Sequence, residues 1–194
     1  MTQNKFNLIG IKKLLFPVKN VDLTVKEGPA RALFSLLPSA SANESGHDLV
    51  HFLKRVQLFE DLKVGDLRRL ARHVHERSYR DGEYIFEQGK PGGAMFLIRS
   101  GAVEILMRGR NGEDVHLATL EPPASLGESE LMGAGDVRWC SALAHGQVSI
   151  VALGRSDVEA LSYNDPVLAN KVLGKLVQIT ALRFQMFIEQ LTGE

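Results

Sequence analysis

Gly127, Glu128 and Arg138 are the residues whose types and spacing suit them best to hold a ligand together, in a stretch that reads LGESELMGAGDVRWCSA from Leu126 to Ala142. A glycine lets the backbone approach a bound group with no side chain in the way. The amides of the turn that follows, Ser129 included, point outward unpaired, as at any helix N-terminus. The Glu128 carboxylate can accept from a sugar hydroxyl. Arg138, ten residues on and read as returning on the next strand, offers a forked cation to a phosphate. The set suits a phosphorylated sugar.

Other reactive side chains form no comparable group. The histidines at 47, 51, 73, 75, 116 and 145 are scattered, and none sits in a recognisable metal-ligand motif, so no metal site is expected. Cys140 follows Trp139 with no histidine placed beside it by sequence, which reads as a small buried thiol and not as a nucleophile. An enzyme is therefore not expected, and no catalytic residue or cofactor is assigned.

The elements that must position the cassette are short strands. Apolar runs at Tyr84 to Phe86, Met95 to Ile98, Ala102 to Met107, Val115 to Leu120, Val137 to Ala144 and Val148 to Leu153 are separated by turn signals. Those signals are Asp81-Gly82, Gly92-Gly93, Asn111-Gly112 and His145-Gly146. Such punctuation predicts a closed or rolled antiparallel barrel. Two helices should lead into it, one capped by Asp48 and one starting at Asp66. Ser156 and Asp157 start a short helix after it, and Pro166 opens a final long one. Leu168, Val172, Leu176, Val177, Phe184 and Ile188 make that last helix apolar over more than half its circumference. A single barrel cannot cover so broad a face, which predicts a two-fold dimer along it or a wrapping arm.

Composition bounds the rest. Lys+Arg and Asp+Glu are equal at 23, without the basic excess common in DNA-binding proteins. The single cysteine excludes an internal disulfide. The apolar start FNLIGIKKLLF is interrupted by Lys12 and Lys13, so no transmembrane segment or signal peptide is read there, and a cytoplasmic location is expected. Up to Phe34 six cations face two anions, a local charge of +4. Residues 1–46 are read as a basic helical arm and linker, with a protein partner or an anionic surface as the alternative to packing on the chain's own domain. Residues 47–194 are read as one domain.

The spacing of Gly89, Gly92, Phe96, Ile98, Gly101 and Val103, followed by Gly127-Glu128 and Arg138, resembles the cyclic-nucleotide-binding domain of catabolite activators and of cyclic-AMP-dependent kinase regulatory subunits. That resemblance runs from about Leu58 to about Leu191. It implies a mainly β fold with flanking α-helices, an antiparallel, jelly-roll-like β-roll with a long C-terminal helix. It implies a stand-alone sensor for cyclic AMP or cyclic GMP, bound at Gly127, Glu128, Ser129, Arg138 and Trp139, that signals through the last helix, where Arg183 would meet the base. The sequence ends at Glu194 without a helix-turn-helix, so DNA is not an expected partner. Ser129-Glu130 stands where the family has an apolar and then a small residue, Trp139 stands where it keeps a small one, and Pro123-Ala124 replaces Gly-Asp. These departures leave a second reading open: a degenerate domain that binds no nucleotide and serves as a protein-interaction or dimerisation module.

Overall fold

The computed structural model describes residues 45–109, 112–133 and 137–192, without the side chains of residues 45–47, 186–188 and 190–192. The arm read at the N-terminus lies outside the described residues, as does Asn111. The element order is α1 (Ser45–Arg55), α2 (Val64–Leu70), β1 (His75–Tyr79), β2 (Tyr84–Phe86), β3 (Ala94–Arg108), β4 (Asp114–Leu120), β5 (Ser125–Leu126), α3 (Glu128–Leu131), β6 (Ser141–Gly154), α4 (Arg155–Asn164) and α5 (Pro166–Thr192).

Six antiparallel strands form one sheet in the order β1-β6-β3-β4, with β2 also on β6 and β5 also on β3. Two long strands, β3 and β6, carry it: each pairs with the other over its length and with shorter strands along its outer edge. The result is the expected β-roll with flanking helices and a long C-terminal helix.

Side-chain alternation along the two long strands divides the core in two. Phe96 and Ile98 on β3, with Val148, Ile150 and Ala152 on β6, face the interior of the roll, where they meet Val103, Ile105, Leu117, Leu120 and Leu126. Met95 and Leu97, with Val151 and Leu153, face the other way and bind the helices through Phe52, Phe59, Leu67, Leu161, Leu168 and Val172. This explains the unbroken apolar run Met95–Ile98: both faces of the strand are covered.

Several boundaries differ from the sequence reading. Met95–Ile98 and Ala102–Met107 are one strand, and Val148–Leu153 continues the strand that starts at Ser141. The break between two apolar runs at Gly101 (φ +81°) and the turn signal His145-Gly146 (Gly146 φ +72°) lie opposite each other in the β3–β6 ladder, so the break and the turn signal are one shared irregularity of the two strands. A Cβ at Gly101 would sit 2.4 Å from the Gln147 carbonyl, so the glycine serves a close backbone approach inside the sheet. β1, HERSY, carries too few apolar residues to read as a strand; it pairs with β6 along residues 148–152 with four of its five residues exposed. α1 starts at Ser45, inside the stretch read as linker. Asp48 lies in its first turn with its carboxylate on Arg99, and no cap is formed by it.

α5 is held at its start by charge as well as by Leu168, Val172 and Leu176. Asp66 on α2 is 6% exposed and accepts from Lys171 Nζ at 2.7 Å and Arg69 Nη2 at 2.7 Å, while Arg69 Nε donates to Asp165 at 2.6 Å. The hydrogen bond from Lys171 is the main cause that holds the Asp66 carboxyl below its ordinary range. Farther along, Val177, Leu182 and Phe184 are exposed, so the broad apolar girth read from the sequence is only partly covered within this chain. The side chain of Ile188 lies outside the described residues.

Candidate ligand-binding site

Gly127 is the pivot of the site. It caps α3 with φ +82°, a left-handed conformation that favours glycine. It is also crossed by Arg138: a Cβ there would lie 2.6 Å from Arg138 Nη1 and 2.9 Å from the Ala94 carbonyl. Conformation and space both require glycine at this point. The first amides of α3 that follow it have no partner within the helix.

Arg138 is placed by the loop between β2 and β3. Its amide donates to the Lys90 carbonyl at 2.8 Å and its carbonyl accepts from the Gly89 amide at 2.8 Å, next to an isolated bridge between Pro91 and Val137. Arg138 therefore precedes β6, whose ladder begins at Ser141, and is not on the strand as the sequence suggested. The difference matters because the loop bearing Gly89 and Gly92, and not a sheet register, fixes the arginine.

The guanidinium is 4% exposed. Its carbon lies 4.3 Å from the centre of the Phe86 ring and 5.3 Å from that of Phe96, and the two rings stack on each other at 5.6 Å. Nη2 donates to the Ala94 carbonyl at 2.7 Å. Nε and Nη1 are buried with no hydrogen-bond partner, although Nη1 lies 3.4 Å from Glu130 Oε2. Burial pulls the Arg138 pKa below its ordinary value, and the Glu130 carboxylate acts in the opposite sense.

The remaining expected residues fall into two groups. Glu128, 5% exposed, accepts from Ser125 Oγ and from Arg183 Nη2 at 3.2 Å, both on Oε1. Arg183 reaches Glu128 from α5; the sequence reading gave it the base of a ligand as its partner, and its partner here is the carboxylate. Ser129 turns its hydroxyl to Glu130 Oε2 at 3.0 Å. Trp139 is 39% exposed beside Arg138, so it does not plug a buried pocket.

Some contributors were not legible. Phe86 and Phe96 appear in the sequence as strand residues, with no sign that they face a cation. Arg155, at the start of α4, donates from Nη2 to the Glu130 carbonyl at 2.8 Å and so closes the end of the short helix. Gly92 belongs to the motif, but its contact is with Glu130: a Cβ there would lie 2.7 Å from both Cβ and Cγ of that side chain.

Cys140 is buried, and burial first, then the Glu130 carboxylate, pushes its thiol up to about 12. It is a packed thiol in its neutral form. Among the described residues no cluster of His, Cys, Asp and Glu could hold a metal ion. Nor is any helix among them long and apolar enough to cross a membrane.

Comparison with known proteins matches residues 76–165 to the model of the cyclic nucleotide-binding domain. Residues 76–165 are those of a domain of that family. The cyclic AMP receptor protein of Thermus thermophilus is 31% identical over 126 residues, 65% of this chain and 58% of that protein. A cGMP-dependent protein kinase of Caenorhabditis elegans is 28% identical over 127 residues, 64% of this chain and 16% of the kinase. The chain therefore spans less than two thirds of either relative. A cyclic nucleotide-binding domain from Methylobacillus flagellatus superposes with a TM-score of 0.65 at 23% identity, covering 77% of this chain and 84% of that one. In this chain Gly127, Glu128 and Arg138 all lie within the matched residues, at the rim of the roll.

Proposed function

We propose that this domain is a sensor for a cyclic mononucleotide, cyclic AMP or cyclic GMP, and not an enzyme. The observation that carries the reading is the Arg138 guanidinium: buried, seated on two aromatic rings, fixed by one hydrogen bond, and left with two nitrogens that lack partners. An unsatisfied buried donor is costly, and an anion that completes it recovers that cost. The phosphate would lie between Arg138 and the first amides of α3, Ser129 among them, and a ribose hydroxyl would meet Glu128. Trp139, exposed at the edge, would lie against the base. The relatives named for cyclic AMP and cyclic GMP support the ligand class without choosing between the two.

Transmission would run through α5. Arg183 and a ribose hydroxyl would address the same carboxylate, so ligand and helix are linked through Glu128. A ligand that binds the two positions of the helix unequally shifts their populations. The exposed Val177, Leu182 and Phe184 would meet a second copy of the chain, and the basic arm would meet a protein partner.

Trp139 is the only tryptophan, so its fluorescence reports on the site alone. Titration of the whole chain with cyclic AMP and cyclic GMP should give a saturable change with one or both. No change with either at millimolar concentration, together with no heat of binding, would overturn the sensor reading in favour of an interaction module.

A further inference from the structure

Glu130 is the one feature of the cassette that the sensor reading does not use. It is 4% exposed, and its Oε2 lies 3.4 Å from Arg138 Nη1. Three contacts fix it in that direction. Ser129 Oγ donates to the same Oε2 at 3.0 Å, Arg155 Nη2 binds the Glu130 carbonyl at 2.8 Å, and the Cβ–Cγ stem fills the space over Gly92 where no side chain fits. The carboxylate is thus held inward by its own helix, by α4 and by the loop before β3. It is not a surface side chain that happens to turn in.

The geometry points to Glu130 as an internal anion that competes with the ligand's phosphate for Arg138. This rests on the reading of Arg138 as the phosphate residue and adds the element that sets its affinity. The competition is incomplete by construction. At 3.4 Å the pair is long for a charge-assisted hydrogen bond, and Arg138 keeps Nε and Nη1 without partners. Glu130 therefore neutralises the guanidinium without satisfying it. A phosphodiester that enters must either displace the carboxylate or sit beside it as a like charge, and both cost binding energy in a site removed from water. A ligand of the same sugar and base without a phosphate meets no such cost. Glu130 thus sets the balance between a charged cyclic nucleotide and a neutral nucleoside.

The test compares cyclic AMP with adenosine on the whole chain, by calorimetry, for the wild type, Glu130→Gln and Glu130→Ala, with thermal melts to show that each variant is folded. Glutamine keeps the stem over Gly92 and removes only the charge; alanine serves if glutamine disturbs the fold. The neutral variants should bind cyclic AMP at least about tenfold more tightly than the wild type, a gain of about 1.4 kcal/mol, with adenosine affinity unchanged. A wild type that binds cyclic AMP while Glu130→Gln binds it no more tightly would overturn the competition and leave the sensor reading intact. An equal gain for adenosine would show that shape and not charge is responsible, and would also overturn it. If wild type and both variants ignore cyclic AMP and cyclic GMP at millimolar concentration, the competition and the sensor reading fall together.

Discussion

Ile98, Val103, Ile105 and Ile150 line the interior of the roll at 0% exposure, and Glu128, Glu130 and Arg138 on its rim are only 4–5% exposed. The two regions are buried almost equally and are held by different physics. Interior contacts are non-directional, so residues of similar volume can exchange at small cost. Every contact of the rim has a direction: a glycine that lets an arginine cross it, an arginine aimed by the Ala94 carbonyl at the start of β3, a carboxylate shared between Ser125 and α5. The interior makes the fold. The rim keeps buried donors without partners, which the interior does nowhere among the described residues.

The contrast is broken most severely from the interior. Ile150→Ala should cost about 2–5 kcal/mol of stability, and Ile150→Val only about 0.5–1.5 kcal/mol. Denaturant unfolding reads both, and ligand affinity of the folded fraction should be unchanged. A large loss of affinity with little loss of stability would show that the two regions are not separable.

A buried carboxylate outside the rim gives the next effect. Asp66→Asn removes the partner of Lys171 and Arg69 and should cost about 1.5–3 kcal/mol, the range for hydrogen bonds to charged groups. The carboxyls of Asp66, by the hydrogen bond from Lys171, and of Asp165, by the Leu168 amide, are held below their ordinary range. The unfolded chain therefore binds more protons than the folded one as pH falls. Stability from these pairs is present above about pH 4, the ordinary carboxylate range, and is lost as pH drops through the lower folded values. Melting temperature against pH should fall more gently on the acid side for Asp66→Asn; an unaltered profile would refute the pairing.

Assembly comes third. Phe184 is 64% exposed on α5, and Phe184→Glu should weaken a dimer formed there by burying a charge without a partner. Light scattering across concentration reads it, and a wild type that is monomeric throughout would exclude the dimer.

The smallest effect is expected at Trp139→Ala. The side chain is exposed, so stability should barely move. Loss of a stacked base, worth about 0.5–1.5 kcal/mol, should weaken cyclic nucleotide binding by no more than about tenfold. A gain in affinity would mean that the tryptophan obstructs the site.

The two regions also differed in how far they could be read from the sequence. Tyr84–Phe86, Val115–Leu120 and the long α5 opening at Pro166 were legible, because period and punctuation are local. The irregularity shared by Gly101 and Gly146 was not, since each glycine lies at a break between apolar runs and only the ladder shows them opposed. On the rim, Gly127, Glu128 and Arg138 were legible as a motif, and Arg183 as a residue that comes near it. The aim of Glu130 was not legible, because it depends on Gly92, 38 positions earlier, and on Arg155, 25 later. The exposure of Trp139 was hidden for a similar reason: the loop that seats Arg138 also sets where its neighbour points.

The central claim is that Arg138 receives a cyclic nucleotide's phosphate, and the most direct measurement is calorimetric titration of the whole chain and of Arg138→Gln with cyclic AMP and cyclic GMP. A guanidinium–phosphate pairing contributes about 1.5–3 kcal/mol net. Loss of the arginine should therefore weaken binding by about one to two powers of ten, with the variant still folded by its thermal melt. Equal affinity in the wild type and in folded Arg138→Gln would contradict the claim.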